Sequence, residues 1–367
     1  MSQVIQICNR CVIDSTDPTI HFDEKGNCNH CNDLITLLVN QSENGFQSII
    51  QKIKSQKTHP TYDCIIGISG GVDSCYTAYL LKKEGLNPLL VHLNNGWNTP
   101  ISNGNVEKIK TALQLDLEEF KFDLTEFHEL QRAFLRSHLL DLELPTDLAI
   151  PAVLHQIAKK LGIKYIISGG NFSSEGILPT IWGYHSMKDM KLYKHIVKKF
   201  SKVSIQNTPT FGLWDEFKYK FFHKIKTVYP LNTFNYNKEE ARQFLNHEFG
   251  WEYYGGKHYE SLYTGFWQAY MLPKKWNVDY RKATYSSLIC SQQMTRDQAL
   301  ELLKNPPFDD SRIEKEKVEI CEKLEISLSE FNSILEAKGL YYTDFPNNKK
   351  WIDFIHSTYK TLFKRGK

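Results

Sequence analysis

Four cysteines near the amino end form two matched pairs, Cys8-Asn-Arg-Cys11 and Cys28-Asn-His-Cys31, with sixteen residues between them. Two such pairs can offer four thiolates to one tetrahedral ion, with bonds of about 2.3 Å for zinc, and four sulfur ligands leave no open position for catalysis. A structural Zn²⁺ site is expected, with His21 and His30 as bystanders. Further on, Ile68-Ser69-Gly70-Gly71-Val72-Asp73-Ser74 follows a short apolar run and opens an amphipathic stretch. A strand, a glycine turn and a helix in that order aim free backbone N–H groups and the positive end of a helix dipole at an anion. Gly70 and Gly71 permit the tight turn and the close approach of phosphate. Ser69 and Ser74 add hydroxyl donors, and Asp73 can reach a Mg²⁺ ion bridging phosphates. Neither a Walker loop nor GxGxxG is present.

A second turn, Ser168-Gly169-Gly170-Asn171, closes another apolar run. The third concentration of reactive side chains lies at 254–296, where Tyr254, Lys257, His258, Glu260, Lys274, Lys275, Arg281, Lys282 and Arg296 stand among Tyr and Trp, most of them beyond Gly255-Gly256. Cations near a pyrophosphate stabilise the charge that grows in a transition state, and aromatic rings stack on a sugar or base. For Lys282 and Arg296 a solvated helical face is an equally good expectation.

These groups need a scaffold to bring them together. The runs YDCIIGI, NPLLVHLN, LEEFKF, IKYIISGG and KTVYPLN read as five strands. Between and after them, SCYTAYLLKKEG (closed by Gly85), NVEKIKTALQL, TEFHELQRAFLRSHLL, AIPAVLHQIAKKLG and NKEEARQFLNHEFG read as helices, the last capped by Asn237 with Glu240 at N3. Strands alternating with helices predict an α/β fold with a doubly wound parallel five-stranded sheet. Such sheets bind ligands beyond the carboxyl ends of their strands where strand order reverses, so the two glycine turns are expected side by side. Residues 34–60 read as one helix ending at Pro60, and the chain beyond 250 as mostly helical. The expected division is a zinc module with linking helix at 1–58, a nucleotide domain at 59–250 and a helical substrate region at 251–367.

Composition narrows the partners. Lys plus Arg number 45 against 42 Asp plus Glu, a formal +3, which argues against nucleic acid as partner. No apolar run approaches the roughly 18–20 residues of a membrane span, and the start MSQVIQICNRC lacks a signal-peptide core. The other cysteines scatter at 64, 75, 290 and 321, so a reducing compartment, the cytoplasm, is expected without a membrane partner.

SGGVDS behind a first buried strand resembles the PP-loop of the ATP pyrophosphatases, whose members cleave ATP between the α and β phosphates and adenylylate a substrate oxygen. The resemblance implies ATP and Mg²⁺ as cofactors, held at Ser69, Gly70, Gly71, Val72, Asp73, Ser74, Gly169 and Gly170, with the backbone of Leu93 against adenine. The paired cysteines, ISGGVDS, the Gly169-Gly170-Asn171…Glu175-Gly176…Pro179 segment and Tyr254-Gly-Gly-Lys-His-Tyr-Glu-Ser261 with the LPKK and DYRK stretches together resemble the N-acetyl sugar amidotransferases of bacterial surface-polysaccharide and nonulosonic-acid pathways, from Cys8 to about Leu303. That family implies adenylylation of the N-acetyl amide oxygen of a nucleotide sugar or nonulosonic acid, and displacement of AMP by ammonia to give an acetamidino sugar. The residues placed at the chemistry are Asp73, Lys257, His258, Glu260, Lys274 and Arg281, and those placed at the sugar are Asn171, Glu175, Tyr254 and Lys275. Two other readings stay open: a tRNA-thiolating PP-loop enzyme, and a zinc scaffold that binds nucleotide without chemistry. Neither Cys290 nor Cys321 has the strand–helix elbow of a glutaminase nucleophile. Ammonia is therefore expected from a separate glutaminase, by resemblance similar to that of imidazole glycerol phosphate synthase, with a cyclase-like barrel subunit as conduit.

Overall fold

All five apolar runs become parallel strands of one sheet, in the order β3 (Leu117–Lys121), β2 (Pro88–Asn94), β1 (Cys64–Gly67), β4 (Tyr165–Ile167), β5 (Lys226–Val228). The computed structural model describes residues 5–41, 45–182, 188–256 and 258–354, so Lys257 and the last thirteen residues lie outside what is described. The chain opens with the cysteine module and α1 (Asn29–Val39), then α2 (Gly45–Ser55). One helix was expected across this stretch, and two are present: α1 ends at Val39, with Asn40 at its C-cap, and α2 begins at Gly45. The core follows as β1 (Cys64–Gly67), α3 (Val72–Lys83), β2 (Pro88–Asn94), α4 (Pro100–Leu113), β3 (Leu117–Lys121), α5 (Leu124–Arg136), α6 (Leu144–Leu161) and β4 (Tyr165–Ile167). Then come α7 (Phe172–Glu175), α8 (Met190–Phe200), α9 (Leu213–Phe217), β5 (Lys226–Val228) and α10 (Lys238–Phe249).

Burial on both faces explains why these strands read as unbroken apolar runs. Successive side chains of β1 point to opposite sides. Ile65 joins Leu89, Val91 and Ile166 against Val153, Leu154 and Ile157 of α6. Ile66 joins Leu90 and Ile167 against Ala78 and Leu81 of α3, Ile109 of α4 and Leu245 of α10. Each such side chain contributes roughly 1.5–3 kcal/mol on burial, so both helical layers are held to the sheet. Asn237 caps α10 by accepting from the N–H groups of Glu239 and Glu240, as expected, while Glu240 returns to the Asn237 amide rather than to its backbone.

The helical region comprises α11 (Leu262–Phe266), a π-helical turn at Trp267–Met271, α12 (Leu272–Trp276), α13 (Arg281–Cys290), α14 (Arg296–Leu303), α15 (Asp310–Lys323) and α16 (Leu328–Glu336). Its apolar side chains share one cluster with α5, α8 and the four paired cysteines. The module that begins the sequence is thus docked on helices from its far end. Val12 N–H donates to Ser286 Oγ (3.1 Å), Lys282 pairs with Asp14 (2.6 Å), and Arg296 donates to the carbonyls of Cys8 and Cys11 (3.1 Å each). Lys282 and Arg296 are therefore neither a solvated face nor pyrophosphate ligands; they clamp the cysteine module.

Three other cations of this region also stand away from the place expected of them. Lys275 donates to the Ala337 carbonyl (2.7 Å) and to that of Ile334, binding the exposed acceptors at the end of α16. Arg281 pairs with Asp279 (2.7 Å) and donates to the Asn305 carbonyl (2.9 Å) just past α14. Lys274 is exposed on α12. A run of cations among aromatics fits a helix-capping role as well as an active site, and here capping uses two of the three. No helix of the described residues is long and apolar enough to cross a membrane. Replacing Arg296 by Ala is expected to lower unfolding stability by about 1–3 kcal/mol and to speed metal loss to a chelator, both measurable by melting with and without EDTA.

Candidate functional site

Metal geometry comes first. The Sγ atoms of Cys8, Cys11, Cys28 and Cys31 all lie within 4.8 Å of one another and all four residues are buried. Cys8 and Cys31 are 3.8 Å apart, and Cys11 and Cys28 3.5 Å. A tetrahedral ion with bonds of about 2.3 Å needs sulfur separations of about 3.8 Å, so the set fits a single ion. Backbone N–H groups of Cys11 and Cys28 point at Cys8 Sγ (3.4 and 3.1 Å), and Arg10 Nη1 lies 3.6 Å from Cys31 Sγ, all of which favour thiolate. His30 is taken by Asp17 at 2.6 Å and stays outside the ligand set. The four thiols can hold one metal ion and would leave it no open position.

The anion turn is built from backbone contacts. Gly70 has φ +81°, and a Cβ there would stand 2.2 Å from the Ser102 carbonyl oxygen of α4. Its own carbonyl accepts from Trp251 Nε1 (2.9 Å) and Asn105 Nδ2 (3.4 Å), which pins the turn from the opposite side. Gly71 N–H donates to Ser69 Oγ (3.2 Å), and Ser74 Oγ donates to the Gly71 carbonyl (3.1 Å). Gly71 precedes α3 with no side chain over the helix end, so the first N–H groups of α3 face outward. At Gly169 a Cβ would lie 2.8 Å from the Asp73 carbonyl carbon and the Ser74 nitrogen. The two glycine turns touch, as the strand order requires.

Asp73 carries a surprise. Its carboxylate accepts from Tyr236 Oη (2.7 Å) and pairs with Lys238 Nζ (2.7 Å). Burial alone would lower the Lys238 ammonium; the charges of Asp73 and Glu175 outweigh that and hold it above its ordinary value, so it stays charged beside the turn. Sequence reasoning missed Tyr236 and Lys238, which lie more than 160 residues from Asp73. Their signal was present only as a cap-flanking lysine at the start of α10.

The turns open on a cavity of about 960 Å³. Ser69, Leu93, Gly169, Glu175, His258 and Glu260 line it, so six of the expected site residues meet there. Residues 258–262 reach it by docking on the loop after β2: Thr99 N–H donates to the Glu260 carbonyl and Leu262 N–H to the Trp97 carbonyl (2.9 Å each). His258 is held at φ +62°, uncommon for a side chain with a Cβ, with Nδ1 3.5 Å from Glu260. Burial pushes the Glu260 carboxyl up, but the His258 contact more than offsets it and holds it low. Its Oε2 has no partner among the described residues. Tyr254 places its hydroxyl 3.2 Å from where a Gly71 Cβ would stand, and burial followed by the nearby Glu260 and Asp73 charges keeps its phenol neutral. Asn171, expected at the sugar, is buried and spends its side chain capping α7 on Ser174 N–H (2.9 Å). The rest of the wall was not anticipated: Asp141, Glu143 and Asp147, with Trp182, Trp267 and Gln268.

Residues 260–359 match a family model described as LPS biosynthesis protein WbpG-like, C-terminal domain, and residues 61–174 match one described as Thiamine biosynthesis protein (ThiI). No curated protein matches significantly. Among solved structures, the chain is similar to the U34-tRNA thiolase NcsA from Methanococcus maripaludis with its 4Fe-4S cluster (15% identity over 79% of this chain and 88% of that one, TM-score 0.32). It is also similar to NMN synthetase from Francisella tularensis (15% identity over 65% and 91%, TM-score 0.28) and to a phosphoadenylyl-sulfate reductase from Candida auris (14% identity over 64% and 90%, TM-score 0.31). The chain thus joins a parallel α/β sheet, similar over 61–174 to the thiamine-biosynthesis family model, to a region similar to a lipopolysaccharide-biosynthesis domain.

Glu143 supplies a pH test of the cavity wall. Burial, reinforced by Asp141, pushes its carboxyl from 4.5 to about 7, against smaller opposing contacts from Thr146 and Thr264. The folded state therefore holds this proton more tightly, and stability present below about pH 4.5 is lost as pH rises through about 7. Glu143→Gln removes that loss. Relative to wild type, the variant should be unchanged near pH 4.5 and more stable by up to about 3 kcal/mol at pH 8, read from melting curves across that range.

Proposed function

We propose that this chain is the ammonia-using synthetase subunit of an ATP-dependent N-acetyl sugar amidotransferase. One observation carries the reading: the phosphate turn and residues 258–268, which come almost wholly from the lipopolysaccharide-like region, face each other across a single cavity. ATP would lie with its phosphates on the N–H groups of the turn and of α3, beside Lys238. The sugar would enter against Trp182 and Trp267, whose faces suit a pyranose. The amide oxygen attacks the α phosphorus, the bond to the bridging oxygen breaks, and pyrophosphate leaves. Ammonia then adds to the imidate carbon, and AMP departs with the electron pair of the C–O bond. His258, beside Glu260, would take up a proton that the new nitrogen sheds. Mg²⁺ would be held at Asp73 in exchange for Lys238, and would neutralise phosphate charge there.

Zinc is the ion proposed for the four thiolates, because one tetrahedral ion fits their spacing. The nitrogen source is proposed to be a separate glutaminase, similar to that of imidazole glycerol phosphate synthase, through a cyclase-like barrel subunit, in the cytoplasm. In support, no cysteine lines the cavity among the described residues. Cys64 and Cys75 are fully buried, and burial pushes the Cys75 thiol up to about 12. The same fact weighs against a sulfur-carrying cysteine and so against tRNA thiolation. The retained turn and its charged partners weigh against an inert scaffold.

The full chain incubated with ATP, Mg²⁺, ammonium and candidate N-acetyl sugars should yield AMP, pyrophosphate and a sugar whose mass shows oxygen replaced by NH. Asp73→Ala should slow this by roughly 10²–10³-fold. ADP with phosphate as products, or turnover on tRNA with no amidine from any sugar, would overturn the proposal.

A further inference from the structure

One helix is built inside out. α9 (Leu213–Phe217) runs into a π-helical turn at Lys218–Phe222, and none of their residues is buried. A surface helix ordinarily turns its apolar stripe to the core. Here Trp214, Phe217 and Phe221, spaced as one helical stripe, are 83%, 45% and 49% exposed, and Phe222 beside them is 72% exposed. The charged Glu216 and Lys220 line the cavity instead. The four rings form one ridge: Phe217 lies 4.7 Å from Phe221, 6.0 Å from Phe222 and 6.2 Å from Trp214. Contiguous exposed apolar surface of this kind marks a contact face.

Charge selects what covers it. Both acids of the helix are taken, Asp215 by the Gly212 N–H (2.9 Å) and Glu216 by Lys188 (2.9 Å). No Asp or Glu then follows until Glu239, whereas Lys218, Lys220, Lys224 and Lys226 are all exposed. Three of these, with Lys164 and Lys57, line a groove of about 440 Å³ whose wall holds no acid. Lys57 is shared with Asp63 (3.2 Å). Lys220 Nζ sits 5.8 Å over the Phe221 ring, so groove and ridge adjoin. The cover must therefore be apolar and anionic at once. A second copy fits poorly, because an isologous contact would set these lysines against themselves. Stacked bases need ring faces spaced apart along a strand, and these rings pack on one another at 39°, 74° and 81°. An anionic bilayer meets both demands: aromatic rings settle at the boundary of headgroups and acyl chains while lysines reach the phosphates.

We infer that the ridge of Trp214, Phe217, Phe221 and Phe222 and the adjoining lysine groove form a peripheral docking surface for anionic membrane. The rings enter the headgroup boundary, and the groove takes the lipid phosphates. The expectation of no membrane partner rested on the lack of a span, and a contact made at the surface needs none. Glu216 and Lys220 belong to both the helix and the cavity wall, so the docked chain holds its cavity close to the bilayer. This surface goes beyond the amidotransferase reading and does not depend on it.

The full chain is sedimented with vesicles of phosphatidylcholine, and with vesicles of equal parts phosphatidylcholine and phosphatidylglycerol. The expected result is binding to the anionic vesicles alone, weakening as salt rises. Trp214→Ser combined with Phe222→Ser should weaken it by about tenfold or more. Lys218→Gln combined with Lys224→Gln should weaken it by about 25-fold, about fivefold for each lysine. All four positions are exposed, so melting temperatures should match wild type. Equal binding to both vesicles, no binding, or binding that either double variant leaves unchanged overturns the proposal. Binding of a short single-stranded RNA, or self-association lost in the serine variant, without vesicle binding, likewise overturns it and assigns the face to nucleic acid or to a second copy.

Discussion

Gly169 approaches the backbone of Asp73 and Ser74 so closely that no side chain fits between them. The rest of the site depends on that contact. It arises because β1 and β4 are neighbours, paired Ile65 to Ile166, while β2 lies on the other side of β1. The chain therefore leaves β1 in one direction and returns to its other edge later, and the carboxyl ends of the two strands open a crevice that no crossover covers. Both turns reach that crevice as bare backbone, which lets a polyanion meet N–H groups directly. Gly70 against Ser102 and Trp251 against the Gly70 carbonyl keep the turn from relaxing.

A second constraint acts from the far end of the chain. The cysteine module is small and would bury little by itself, but it shares an apolar cluster with α5, α8 and the last helices. Lys282 and Arg296 tie it to α13 and α14. Residues 258–268 are held between this helical body, which also carries the cysteine module, and the loop after β2.

Much of this was legible in the sequence because it is local. Strands buried on both faces appear as short apolar runs, and a glycine turn between strand and helix has a fixed meaning, so the sheet and the turns were found where expected. The paired cysteines converge as their spacing demands. What escaped is non-local. Lys238 and Tyr236 reach Asp73 across the sheet, and nothing near either residue announces the partner. Lys275, Arg281, Lys282 and Arg296 look like phosphate ligands in a row of letters, yet carbonyls and carboxylates of the helical region claim them. Conversely, Asp141, Glu143 and Asp147 sit in a run apolar enough to pass for plain core, and only the fold turns them toward a cavity. Their one local signal was acid at three positions of an otherwise buried segment.

The account turns on a single atom, the oxygen of the N-acetyl amide. If AMP is attached to that oxygen, the atom must leave with AMP. The most direct measurement uses an N-acetyl sugar labelled with heavy oxygen in the acetyl carbonyl, turned over with ammonium, and mass analysis of the nucleotide. The label should appear in AMP, one atom per amidine formed, and be absent from pyrophosphate. Label remaining in the sugar product, or released into water with unlabelled AMP, would contradict activation of the amide oxygen and with it the function proposed for this cavity.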